Sequence, residues 1–78
     1  MTLNERIGFE MRTQRLIKRM TQVQVAEKMG LKSKNSISLL EKGVTKITVE
    51  DLQNYCDAVG CSWIDILKKV SDHGSNQG

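Results

Sequence analysis

Apolar side chains recur along this chain at three- and four-residue steps, the spacing that gathers them on one side of an α-helix. Ile7 and Met11 form the first stripe, and Val25, Ala26 and Met29 the second. Ile37 and Leu40 form the third, Leu52, Tyr55, Cys56 and Val59 the fourth, and Ile66 and Leu67 the fifth. Polar punctuation separates them. Thr2 with Glu5, Thr21 with Gln24, Thr48 with Asp51 and Ser62 with Asp65 each set a capping hydroxyl three residues ahead of an acid or amide, the reciprocal signature of a helix start. Ser33 supplies a fifth cap. Gly30, Gly43 and Gly60 each follow an apolar stripe, where a left-handed residue ends a helix. The pattern predicts helices over roughly 3–19, 22–29, 34–42, 49–59 and 63–70, their stripes joined in one core.

Composition agrees with an all-α chain. Aromatic residues make up 4% and proline is absent, which suits short packed helices more than a sheet. A chain of 78 residues buries only about 60% of its unfolded surface, too little for a deep catalytic cleft, so a compact binding module is favoured. The net charge of +3 understates an asymmetry: residues 1–46 hold ten Lys/Arg against four Asp/Glu, and residues 47–78 hold two against five. The amino-terminal half therefore attracts polyanions.

No apolar run approaches the roughly 18 residues of a membrane span, and "MTLNERIGFEMR" does not read as a signal peptide. A reducing cytoplasm is the expected compartment. Cys56 and Cys61 lack the spacing of a zinc site and read as small core residues on either side of Gly60. His73 falls in the polar end "SDHGSNQG", read as a flexible tail over 71–78 after a domain over 1–70, and is a poor catalytic base there. No nucleophile–base pair, metal cluster or glycine-rich phosphate loop is legible, so an enzyme is not expected.

Only a short turn around Gly30 separates the second and third predicted helices, so they must cross steeply, as in a helix-turn-helix. With Ile37 and Leu40 turned inward, Lys34, Asn35, Ser38 and Leu39 point outward on a face free of acid. Together with Ser36 they form the expected base-reading set, because short polar side chains and a lysine near a helix start reach base edges in the major groove.

At these residues the chain resembles the lambda-repressor and Cro-like, or Xre-like, helix-turn-helix family. The resemblance covers about residues 7–68 and rests on the joint spacing of Thr21–Gln22, Ala26, Gly30, Ile37, Glu41, Gly43, Leu52, Gly60 and Ile66–Leu67. It implies a compact five-helix DNA-binding domain whose third helix recognises DNA. By the same resemblance Gln22 holds a phosphate, with Ser33, Lys42 and the loop residues Thr45 and Lys46 as further backbone contacts, and Arg15 pairs with Glu41 to tie the first helix to the third. The alternative for that pair is two solvated surface charges.

Some positions depart from the family. "LKSK" carries one residue more than is usual between the glycine and the isoleucine, most simply Lys32. Leu39 stands where the family often has Arg or Gln, and either meets a thymine methyl group or weakens base reading.

The expected function is sequence-specific binding of double-stranded DNA that regulates transcription, with repression by a homodimer on a two-fold symmetric operator as the leading form. Trp63 and Ile64 lie on different faces of a helix whose Ile66 and Leu67 already serve the core, so one of them is expected at a partner surface. The alternative is an antitoxin-type interaction protein that binds both DNA and a protein partner. No cofactor, small-molecule ligand or membrane is implied.

Overall fold

The computed structural model describes the backbone of residues 1–75 and the side chains of residues 1–71. Five helices succeed one another: α1 over Leu3–Ile17, α2 over Gln22–Lys28, α3 over Asn35–Lys42, α4 over Val49–Val59 and α5 over Trp63–Ser75. Thr2, Thr21 and Thr48 each close a full capping box with the residue three positions on. The Ser62 hydroxyl accepts the Asp65 N–H at 3.3 Å.

Four boundaries differ from the sequence reading, one of them at α2, which ends at Lys28 with Met29 as its cap. α1 stops at Ile17, two residues early, because Lys18 caps it and Arg19 turns into the left-handed region at φ 57°. α3 begins at Asn35 with Lys34 as its backbone cap, yet the Ser33 hydroxyl still accepts the Asn35 N–H at 3.0 Å. α5 runs on to Ser75 instead of ending at 70. Val70 is buried one turn beyond Ile66, which continues the apolar stripe past the expected end. His73 therefore lies on the α5 backbone, and residues 76–78 of the expected tail lie outside the described residues.

The core gathers Met11, Val25, Ile37, Leu40, Leu52, Tyr55, Cys56, Val59, Ile66 and Val70 around α1, which packs against α3, α4 and α5. Ile7, Met29, Leu31, Trp63 and Leu67 close its margins. The α1–α3 contact is tight enough that a Cβ added at Gly8 would lie 2.4 Å from the Leu40 carbonyl oxygen and 2.8 Å from that of Glu41. Cys56 is fully buried and Cys61 partly so, both as free thiols. Burial pushes the Cys56 thiol well above its ordinary range.

Candidate nucleic-acid interface

The turn between α2 and α3 is anchored at its start. Leu31 donates its N–H to the Ala26 carbonyl at 2.8 Å and inserts its side chain against the core, while Gly30 supplies the left-handed turn at φ 73°. Lys32, the residue identified as additional, bends outward into solvent. α3 packs on α1 and α2, with Ile37 and Leu40 buried.

On the opposite side of α3, Lys34, Asn35 and Ser36 are exposed, Leu39 is 43% exposed and Ser38 is half-buried. The single acid of α3, Glu41, points away from this face and is buried. The outward surface of the helix therefore carries donors, a cation and one apolar group, with no carboxylate to repel a phosphate backbone.

Glu41 organises the rear of α3. Arg15 donates to it twice, from Nε to Oε2 at 2.7 Å and from Nη2 to Oε1 at 2.9 Å, and also donates from Nη1 to the Met20 carbonyl at 2.9 Å. Gln22 Nε2 donates to Oε1 at 3.1 Å. The Tyr55 hydroxyl lies within reach of both Glu41 Oε2 and the Met11 carbonyl, and its one proton favours the charged acceptor. Side chains from α1, α2 and α4 thus converge on one carboxylate of α3. Burial works to raise the Glu41 carboxyl, but the donors from Arg15, Tyr55 and Gln22 outweigh it and hold the group below its ordinary value. The bond to Glu41 in turn raises Arg15, and burial raises Tyr55.

Gln22, assigned to a phosphate on the sequence, is half-buried and bound to Glu41 through its amide nitrogen. Its second N–H remains geometrically distinct from that bond. In the sequence Tyr55 reads only as a core residue, because nothing local marks which carboxylate a buried hydroxyl meets.

Lys42, the last residue of α3, is exposed, and past it Gly43 at φ 70° opens a loop in which Thr45 and Lys46 are exposed. Asn4, from the first turn of α1, fixes this loop. Its Nδ2 donates to the carbonyls of Gly43 at 3.1 Å and Thr45 at 2.9 Å, and its Oδ1 accepts the Ile47 N–H at 2.9 Å. The sequence singled out neither Asn4 nor Gly8. On α5, Trp63 packs half-buried against the core, whereas Ile64 is 48% exposed.

A helix-turn-helix family model matches residues 11–66. Among solved structures, the clp gene regulator ClgR from C. glutamicum is 30% identical over 94% of each chain, with a TM-score of 0.85. The wild-type restriction-modification controller protein C.Esp1396I, 24% identical over 92% of each chain with a TM-score of 0.79, shares the fold. No curated protein matches the chain. With its tightly turned α2–α3 pair and the family match spanning most of its length, the chain belongs to the Xre-like, lambda-repressor-like helix-turn-helix family of DNA-binding regulators.

Proposed function

We propose that this protein binds double-stranded DNA sequence-specifically and represses transcription as a homodimer on a two-fold symmetric operator. The observation that carries the reading is the acid-free outward face of α3, held by a helix whose only carboxylate is buried behind it. Lys34, Asn35, Ser36, Ser38 and Leu39 read base edges, with Leu39 against a thymine methyl group. Gln22, through its second N–H, together with Ser33, Lys42, Thr45 and Lys46, holds the backbone and sets the register.

A module of this size reads few base pairs, so two copies with recognition helices about 34 Å apart give useful specificity. Exposed Ile64 on α5 supplies the apolar anchor for the second copy, while Trp63 packs against the core. The gene-regulator relative ClgR supports the regulatory part of the reading. Selection of bound duplexes from a random library tests it: a palindromic consensus is the expected result, and the absence of any enrichment overturns it.

A further inference from the structure

Four helices of this chain end in a left-handed residue followed by a backbone bond reaching five residues back. Three of those residues are Gly30, Gly43 and Gly60. The fourth, closing α1, is Arg19, the one positive-φ residue other than glycine among those described. Its N–H is donated to the Leu16 carbonyl at 3.0 Å and the next N–H, of Met20, to the Arg15 carbonyl at 3.1 Å, so the geometry of the turn is fixed by its own bonds. Glycine adopts this conformation freely, whereas an L side chain adopts it at a cost. Arg19 recovers none of that cost through packing or pairing: it is exposed, and neither ion pair formed among the described residues includes it.

Its surroundings indicate what the side chain is for. Arg19 borders a shallow depression of about 480 Å³ between the end of α1, the start of α2 and the start of α3, which it shares with Thr21, Gln22 and Lys34. The residues lining it include no carboxylate, and the charge of nearby Glu41 is met by Arg15. Two free cations and an amide thus face a common opening at the edge of the proposed base-reading surface, a setting that concentrates anions.

Building on the proposed DNA-binding function, we propose that Arg19 is a DNA-backbone contact. Its guanidinium takes a phosphate at the margin of the groove that α3 enters, beside the base-reading Lys34, and this contact is what the strained turn is kept for.

The test is a salt titration of binding to a mixed-sequence duplex with wild type, Arg19→Gly, Arg19→Asn and, as a charge control, Lys28→Gln at the far end of α2. Arg19→Gly relieves the turn and Arg19→Asn tolerates it, so both fold; Arg19→Gly is expected to melt at or above the wild-type temperature. Both are expected to bind several-fold more weakly at moderate salt, with a salt slope lower by about one, while Lys28→Gln keeps the wild-type slope. Unchanged slopes in the Arg19 variants overturn the proposal, as does an equal drop in Lys28→Gln. A wild-type chain that binds no duplex at all overturns the DNA-binding reading itself, and this contact with it.

Discussion

Arg15 and Glu41, 26 positions apart in the chain, meet through two parallel N–H···O bonds of 2.7 and 2.9 Å in the interior between α1 and α3. The side chains retain 8% and 2% of their exposure, so the pair is buried and the alternative of two solvated surface charges does not describe it. Removing one partner leaves the other charged and without its main counter-ion. Arg15→Ala or Glu41→Ala is expected to cost about 3–5 kcal/mol in urea denaturation. The double variant is expected to lose less than the sum of the two, since the second truncation removes a charge the first one stranded. Strictly additive losses would contradict the pairing.

The pH dependence follows from the same carboxylate. Its donors hold Glu41 below the ordinary value of 4.5 in the folded state, so near that pH the unfolded chain binds more protons and stability rises with pH. The contribution is therefore full above about pH 4.5 and is lost as pH falls through the lower, native value. Glu5, lowered by its bonds to Thr2, acts in the same direction. Wild type is expected to lose stability on acidification from about pH 6 to about pH 3 more steeply than Glu41→Gln, although the variant is weaker at neutral pH. Parallel profiles would remove Glu41 as a source of the slope.

Gly8 sets how closely α1 approaches α3. An alanine there gains about 1 kcal/mol of helix propensity, yet its Cβ meets two backbone carbonyl oxygens, which cannot rotate away as a side chain can. Gly8→Ala is expected to lose about 1–3 kcal/mol net, by separation of the two helices. At Gly30 the space is open and only the φ of 73° opposes a side chain. Gly30→Ala should thus be the milder variant, by about 1 kcal/mol or more, in thermal melts. The reverse order would show that backbone strain outweighs the close contact.

Base reading and backbone holding are separable by the kind of loss they produce. Asn35→Ala is expected to shift preference by about 1–3 kcal/mol at one base pair of each half-site, because an amide reads a base edge with two bonds. Lys46→Ala is expected to weaken all sequences alike and to lower the salt slope by about one. Competition among a panel of single-base operator variants distinguishes the two outcomes, and an Asn35→Ala variant with unchanged preference would take that residue out of the reading set.

On α5 the neighbours Trp63 and Ile64 should behave differently. Ile64→Lys places a charge on a surface that is already exposed in one copy, so the helical fold is expected to persist while a two-copy assembly dissociates. Trp63→Ala removes packing from the edge of the core and is expected to lower stability as well. Sedimentation together with circular dichroism reads both, and a dimeric Ile64→Lys would move the interface elsewhere.

Helix starts were legible because a capping box is a local device: Thr2, Thr21 and Thr48 signal over three residues and need nothing distant. The inner faces were legible because burial imposes a period on the sequence, from Met11 through Val59. What was not legible depends on distance in the fold. Arg19 carries no mark of its left-handed backbone, since arginine is an ordinary helix former. Asn4 is an unremarkable amide until the loop after Gly43 arrives beside it. Gly8 looks like a weak helix residue until the carbonyls of α3 lie against it. Gln22 and Tyr55 gain their common partner only when three helices close around Glu41. For Lys34, Asn35, Ser36 and Leu39, the residue types and their exposed placement at and along α3 follow from the pattern, whereas anything they would touch belongs to another molecule.

The turn that carries Lys32 separates the seating of α3 from its exposed approach. Leu31 is moored to the Ala26 carbonyl and to the core, and Ile37 seats α3 from the other side. Between those two moorings Lys32, Ser33 and Lys34 are exposed ahead of the first turn of α3. The exposed approach to α3 can therefore change in sequence at Lys32 and Ser33 without touching a buried side chain.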